Sequence, residues 1–550
     1  MATLISDDSR TARAKVFIVD ETRGCHESSI ASSANANYRG PVRYQVGQFF
    51  TAIFAALLVP AIAAAAPDKH VVVVVWDGMR PDFVSEQNTP ALWKLAQSGV
   101  VFRNNHSVYP SATIVNGTAI VTGNYPNHDG VLANHVYRAD LDGRKSIDVE
   151  NKQVVHKADE LSAGKYVTAP TIAELLHAKG GKTAIATAKT VGLLFDRHGD
   201  SRQGQDIFAG ESVSPDVADS IVKMLGPFPP ADRAADRDAW TTKAFTDFLW
   251  KDGVPPFSLL WLSEPDDTEH KTAPGASAAL AAIKSGDENL ARVLTALDRQ
   301  NARSTTDIFV VSDHGFSTIA REIELPKILK AAGFDAMTEF TEDAKPGQIM
   351  LAGNGGTVLF YVIGHDPAIT RRLVEFLQQT DFAGVIFTRE RLDGTFPLEQ
   401  AKIDNQYAAD VVMAFRWTED KNQFGAPGMI DADWQRAAGK GTHATLSRFD
   451  MHNTLIAAGP DFATGLTSEA PSGNVDVTPT VLAILGIDPP SKMDGRVLSE
   501  ALRNRRASKS ETQRIEASKK FPGGTWRQHL TISRARETSY LDEGNGGFER

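Results

Sequence analysis

The chain has 550 residues, 42% hydrophobic and 23% charged, with a formal net charge of −10 at pH 7. That length and balance fit one large α/β domain with insertions, or two domains, and the acidic total argues against a protein that coats nucleic acid. Its single cysteine, Cys25, excludes an intramolecular disulfide and any Cys-rich zinc module, so a bound metal has to be held by His and carboxylates.

The first readable segment is "GQFFTAIFAALLVPAIAAAAPDKH". An apolar run from about Phe49 to Ala63 is followed by small residues before Pro67, which is the pattern of a secretory signal over about residues 43–66 with cleavage near Ala65 or Ala66. Met1 to Val42 is polar, which points to a translation start near Val42 or Val46. A membrane anchor is the alternative, but the run is short for a full span and is broken by Pro60. The expectation is a periplasmic or secreted protein with no stable membrane insertion once the signal is removed.

After it, "HVVVVVW" (His70 to Trp76) is a β-branched run suited to a strand buried on both faces. "TPALWKLAQSG" reads as a helix with Thr89 as cap and Gly99 as stop. "YPSATIVNGTAIVTG" places a lone hydroxyl, Thr113, at the mouth of a helical apolar run, where it is either a cap or a nucleophile aimed by a helix N-terminus. "PTIAELLHAKGG" and "KTAIATA" read as helix then strand, and "DRDAWTTKAFTDFLWKDG" as an amphipathic helix leading into a buried strand, "PFSLLWLS". A long helix, "ASAALAAIKSGDENLARVLTALDRQ", leads into the strand "TDIFVVS". Strands alternating with helices predict an α/β fold with a mostly parallel sheet sandwiched by helices.

Between Ile319 and Gly441 the pattern changes to shorter strands, "QIMLAG", "TVLFYVIG", "GVIFTRE" and "DVVMAFRW", read as an inserted α+β cap. The expected organisation is an N-terminal extension and signal (1–66), a catalytic core (67–318 and 442–507), the cap (319–441) and a polar tail (508–550) ending in a hairpin.

Three of the strand candidates end in carboxylates: Asp77 after "VVVVVW", Asp266 in "SEPDDTEH" with His270 four residues on, and Asp313 in "SDHG" with His314 next. Ligand sites of open α/β sheets lie off the carboxyl ends of strands, so three such Asp residues converge on one crevice. "GTHAT" adds His443 in a glycine-bracketed loop. Packed together, three ionised Asp side chains repel one another, and divalent cations remove that cost. Imidazole with carboxylate suits zinc. Asp77, Asp266, Asp313, His270, His314, His443 and Thr113 then make up a ligand set for two zinc ions, whose charge exceeds that of the Asp residues and draws a phosphate. A metal activates an otherwise poor Thr nucleophile. Asn116, one helical turn after Thr113, is placed to donate to a phosphate oxygen. His128 and His452 lack the spacing to complete a set and are read as structural.

Asp77-Gly78, "YPSATIVN", "EPDDTEH", "SDHGF" and "GTHAT", in this order, resemble the nucleotide pyrophosphatase/phosphodiesterase branch of the alkaline phosphatase superfamily, over about Val71 to Gly486. The resemblance implies an alkaline-phosphatase-like core and two zinc ions, one held by Asp266, His270 and His443, the other by Asp77, Asp313, His314 and Thr113. It implies Thr113 as nucleophile and Asn116 as a phosphate-oxygen ligand, and places Trp261 where the family has a base-stacking Tyr. Two departures follow: Ile114 stands where nucleotide-preferring members typically have an aromatic, and Gly117 where a His is common. The implied activity is zinc-dependent hydrolysis of phosphodiester or phosphoanhydride bonds in a small phosphorylated substrate, through a phospho-threonine. Alternatives are a phosphomonoesterase or phosphonate hydrolase of the same superfamily, and a non-catalytic extracellular zinc-containing binding protein.

Overall fold

Eight strands form the central sheet: β1 (His70–Trp76), β2 (Val100–Phe102), β3 (Thr183–Thr187), β4 (Gly204–Phe208), β5 (Phe257–Leu262), β6 (Thr306–Val311), β7 (Leu455–Ala458) and β8 (Leu466–Ser468). They lie in the order β8-β2-β7-β6-β1-β5-β3-β4. The run from β6 to β4 is parallel throughout, while β7 is antiparallel to both its neighbours. The computed structural model describes residues 69–197, 204–504, 506 and 508–550, so the expected signal segment and Cys25 lie outside the described residues. Among the described residues no helix is long and apolar enough to cross a membrane.

The valine run explains why β1 is central. Val71, Val73 and Val75 enter one apolar cluster, and Val72, Val74 and Trp76 enter another. Alternate side chains of a strand point to opposite faces, so both faces of β1 need a cover. On one face lies helix α1 (Thr113–Thr122), which contributes Ile114, Ile120 and Val121. The other face is covered by the long helix expected from the sequence, here α3 (Ser277–Arg299), through Ile283, Leu290, Val293 and Leu297. A short helix, α2 (Asp266–Lys271), precedes it. At Gly286, inside α3, an added Cβ would come 2.6 Å from Trp76 Nε1, so a glycine is what lets the helix approach the sheet.

The four short strands expected between 319 and 441 are strands: Ile349–Gly353, Thr357–Val362, Ala383–Thr388 and Val411–Phe415. They pair antiparallel in a six-stranded sheet whose short edge strands pair in parallel. Helices Leu325–Ala331 and Pro367–Leu377 pack on it through Leu325, Leu329, Leu373 and Leu377. A second small sheet pairs Gly441–Thr442 antiparallel with Ser317–Thr318, just beyond the end of β6.

The polar tail is a three-stranded antiparallel meander, β9 (Ser510–Phe521), β10 (Gly524–Ala535) and β11 (Thr538–Glu549), whose last two strands form the hairpin expected there. Its outward residues are polar, which hid the buried set: Trp526, Leu530, Ile532, Ala535 and Tyr540. Trp526 enters the core of the six-stranded sheet and its indole N–H donates to Gly394 O at 2.9 Å. Gln528 bridges the same sheet, accepting from the Ile386 N–H at 2.8 Å and donating to its carbonyl at 3.1 Å. Trp526→Ala is therefore expected to lower stability by about 3–5 kcal/mol in a urea unfolding titration. Arg527→Ala, on the exposed face beside Glu549, should cost under about 1 kcal/mol.

Candidate metal centre and nucleophile

Strands β6, β1 and β5 are adjacent and parallel, so the residues that follow them emerge side by side. Asp77 directly follows β1, Asp313 and His314 lie just past β6, and Asp266 opens α2 after β5, with His270 one turn along. His443 reaches the same place because it follows the strand paired to Ser317–Thr318. The ligand-type atoms of Asp77, Asp313 and His314 lie within 4.8 Å of one another, and so do those of Asp266, His314 and His443.

Each carboxylate has one oxygen tied down and one left over. Asp313 Oδ1 accepts from the backbone N–H groups of Gly78 (3.0 Å) and His314 (2.9 Å). Asp77 Oδ2 accepts from the Trp261 indole N–H at 2.9 Å, and Asp266 Oδ2 from Lys189 Nζ at 2.6 Å. Asp313 Oδ2, Asp77 Oδ1 and Asp266 Oδ1 are buried without any hydrogen-bond partner. The imidazoles are tied in the same way. Nδ1 of His270, His314 and His443 meets the carbonyls of Gly441 (3.1 Å), Gly315 (2.9 Å) and Ser111 (2.8 Å). A carbonyl only accepts, so each Nδ1 carries the proton and each Nε2 presents a lone pair. Acceptors therefore face acceptors: Asp266 Oδ1 is 3.3 Å from His270 Nε2 and 3.6 Å from His443 Nε2, and Asp313 Oδ2 is 3.2 Å from His314 Nε2. Buried, unpaired and mutually repulsive donor atoms with their outer sides anchored are the arrangement a metal requires.

Thr113 is the first residue of α1, and the cap position belongs to Ala112, which makes no side-chain bond to the helix. The hydroxyl lies instead 3.3 Å from His314 Nε2, at the edge of the carboxylate cluster. The capping alternative is thereby removed.

Two expected residues have different surroundings from those anticipated. Asn116 is fully buried: its amide donates to the carbonyls of Val108 (3.0 Å) and Ala112 (3.1 Å), and its oxygen accepts from Val108 N–H and Asn474 Nδ2. One helical turn from Thr113 it points back under the loop, with no donor left for a phosphate. Trp261 is also wholly buried, beside Phe195 and against Gly117, with its N–H on Asp77. It presents no face for stacking a base and instead orients a carboxylate.

Two residues at the site were missed. Lys189 follows β3, the next parallel strand, and its ammonium lies 2.9 Å from Asp77 and 2.6 Å from Asp266. The strand-end rule that found the Asp residues would have found it had it been applied to cations. Asn134 lies on the crevice wall, its Oδ1 accepting from the Ile114 N–H at 3.1 Å and its Nδ2 3.4 Å from Glu150 Oε1. It is held by α1 but lies in a following loop, where helical spacing gives no signal.

The charges follow from this packing. Burial, then repulsion by Asp313, holds the Asp77 carboxyl well above its usual range, and burial pushes Asp313 up to about 7. Burial pushes Asp266 up as well, but the Lys189 ammonium together with His270 and His443 outweighs it and holds the carboxyl well below the usual range. Burial, then His314, keeps His443 neutral by lowering it well below the usual imidazole value. Beside the cluster opens a crevice of about 440 Å³ with Thr113, Asn134, Lys189, Arg237, His270 and Arg436 on its walls, and no Phe, Tyr or Trp among the described residues lining it.

Comparison with known proteins agrees with this geometry. A venom phosphodiesterase of Naja atra is 24% identical over 251 residues, 44% of this chain and 26% of that protein. Human ectonucleotide pyrophosphatase/phosphodiesterase family member 1 is 26% identical over 243 residues, 44% of this chain and 22% of that protein. The matched region thus spans about a quarter of these relatives. Among solved structures, human ectonucleotide pyrophosphatase/phosphodiesterase 5 superposes with a TM-score of 0.56 at 16% identity, covering 79% of this chain and 100% of that one. An inactive murine form of that protein in complex with AMP gives 0.55 at 18% identity, covering 77% and 97%. They share the alkaline-phosphatase-like fold. The family described as type I phosphodiesterase / nucleotide pyrophosphatase matches residues 71–391, more than half of the sequence and every strand-end carboxylate described above, and the chain belongs to that family.

Proposed function

We propose that this protein hydrolyses phosphodiester or phosphoanhydride bonds of small phosphorylated molecules, in a metal-dependent reaction with Thr113 as nucleophile. The observation that carries the reading is the Thr113 hydroxyl, freed from capping and set against His314 beside three unpaired carboxylate oxygens. A binding protein with a structural ion would need closed four-ligand geometry and no such hydroxyl.

The donor set, imidazole Nε2 and carboxylate oxygen, fits two zinc ions. Asp266, His270 and His443 would hold one, and Asp77, Asp313, His314 and Thr113 the other. Bound there, the metal supplies Lewis acidity: it lowers the pKa of a hydroxyl and offsets negative charge on the phosphoryl group. The remaining work falls to the chain. Thr113 Oγ1 forms a bond to phosphorus as the bond to the leaving oxygen breaks, giving a phospho-threonine. Water then attacks from the vacated side, releasing the phosphate product and returning the hydroxyl, with net retention at phosphorus. The N-terminus of α1 favours the anion. With its oxygen fixed by Ile114 N–H, Asn134 turns its amide donors toward the crevice, in the role first expected of Asn116.

The neighbour bound to AMP and the names of the relatives point to nucleotides as one substrate class. With Trp261 buried, Ile114 buried and no Phe, Tyr or Trp lining the crevice, a nucleobase would bind here without stacking, so phosphoryl contacts dominate over base contacts. The cations Lys189, Arg237 and Arg436 on the crevice keep a phosphomonoester reading as the second one. The signal-like segment over about 43–66 and the venom relatives favour action outside the cytoplasm.

Thr113→Ala should reduce turnover of bis(p-nitrophenyl) phosphate at least about 10³-fold while leaving the circular dichroism spectrum intact; turnover near wild type would overturn the nucleophile. Asn134→Ala is expected to lower kcat about 10²-fold with little change in melting temperature. Asn116→Ala should do the reverse, mainly lowering the melting temperature. The raised carboxyls give a pH signature. Asp313 titrates near 7 when folded against 3.8 as a free side chain, so its contribution to stability is fully present below 3.8 and is lost as pH rises through about 7. Chelated protein should therefore melt at lower temperature at pH 8 than at pH 5, and saturating zinc should flatten that slope in differential scanning calorimetry.

A further inference from the structure

A second cluster of His and carboxylate lies outside the crevice. His106 comes from the short strand Asn105–His106, His452 follows helix Arg448–Met451, and Asp542 comes from β11. Their ligand-type atoms lie within 4.8 Å of one another. His106 is almost wholly buried, with Asp542 and His452 only partly exposed. His452 has no sequence neighbour to pair with, because its partners are hundreds of positions upstream and about ninety downstream.

The donor atoms again face one another. His106 Nδ1 donates to the Ser472 carbonyl at 2.7 Å, and its Nε2 meets Asp542 Oδ1. His452 Nε2 lies 3.7 Å from the same oxygen, and the two imidazoles meet edge-on at 4.7 Å. The other Asp542 oxygen accepts from Ser533 Oγ at 2.6 Å. Either a second proton on the His106 ring or a bound cation satisfies the contact of His106 Nε2 with Asp542 Oδ1, and the nearby His452 Nε2 supplies a third donor atom that a proton alone does not engage. Ligands whose outer atoms are anchored to a carbonyl and a hydroxyl are the pattern seen around bound metals. A cavity of about 250 Å³ lies beside His106 and Tyr540.

We propose that His106, His452 and Asp542 form a separate site for a zinc-class divalent cation, which clamps the C-terminal meander to the catalytic core. The site adjoins the amide network beneath the nucleophile. Asn105 donates to Asn453 Oδ1 at 2.8 Å, Asn453 donates to Asn474 Oδ1 at 3.0 Å, and Asn474 donates to the Asp313 carbonyl at 2.6 Å. The ion would therefore steady β11 and the floor of the crevice together without touching substrate.

The test is metal content of the full chain, equilibrated with zinc, desalted and measured by inductively coupled plasma mass spectrometry. His452→Ala and Asp542→Asn should each bind one equivalent fewer than wild type. Because the readout is a difference, it holds whether the crevice itself binds two ions, one or none, so failure here and failure of the catalytic reading are distinguishable. Equal content in wild type and both variants would overturn the proposal and leave a hydrogen-bonded His–Asp–His triad. Should the variants fail to fold, anomalous scattering at the zinc edge from wild-type crystals decides the matter. A peak within bonding reach of His106 Nε2, His452 Nε2 and Asp542 Oδ1 supports the site, and a map empty there overturns it.

Discussion

Three carboxylates forced together in a dry crevice govern this molecule. Parallel pairing of β6, β1 and β5 delivers Asp313, Asp77 and Asp266 to one place, and nothing in the sheet compensates their charge. Lys189 neutralises part of it by bridging Asp77 and Asp266. The rest is left as three oxygens without partners. Leaving such groups unpaired costs each of them its lost hydration, on the order of 1–3 kcal/mol or more for a charge. A fold that keeps this arrangement is one that works with cations bound, and the surrounding backbone bonds to Asp313 and to the three imidazoles make sense only as holders of those ligands in place.

The same frame separates holding from recognition. Everything that fixes the ligands is buried and hydrogen-bonded to main chain: Gly78 and His314 N–H on Asp313, the Trp261 indole on Asp77, three carbonyls on three imidazoles. What faces the crevice is different in kind. It is polar, mixed in charge and without a Phe, Tyr or Trp among the described residues on its walls. Such a surface grips phosphate and hydroxyl groups by charge and hydrogen bonds, and leaves an apolar or aromatic appendage with little to hold it.

Much of this was legible in the sequence because strand ends are local features. "VVVVVWDG", "LLWLSEPDD" and "FVVSDHG" each show a buried strand and the carboxylate after it, and parallel pairing does the rest. What failed were inferences about direction. Asn116 has the right spacing from Thr113, but a helix residue at that offset can turn toward the loop beneath as easily as toward the ligand, and here Val108 claims it. Trp261 sits at the end of β5, where odd and even side chains go to opposite faces, and no motif says which face opens on the crevice. Lys189 and Asn134 were passed over because a lone Lys or Asn in a loop carries no pattern. His452 is legible only in three dimensions, since its partners are brought by two other segments. The tail hairpin was readable, but the strand Ser510–Phe521 before it was not, because nearly all of its side chains are polar and exposed.

The back of α1, the helix that begins at Thr113, rests on the meander. Val115 and Ala119 share an apolar cluster with Ala535 and Tyr540, and the Tyr540 hydroxyl donates to Asp476 at 2.7 Å. A polypeptide is made from its N-terminus, so α1 exists for hundreds of residues of synthesis before its cover does. The meander is thus a late-made cover for a helix that is made early, and Val115 and Ala119 gain their contacts with Ala535 and Tyr540 only once it exists.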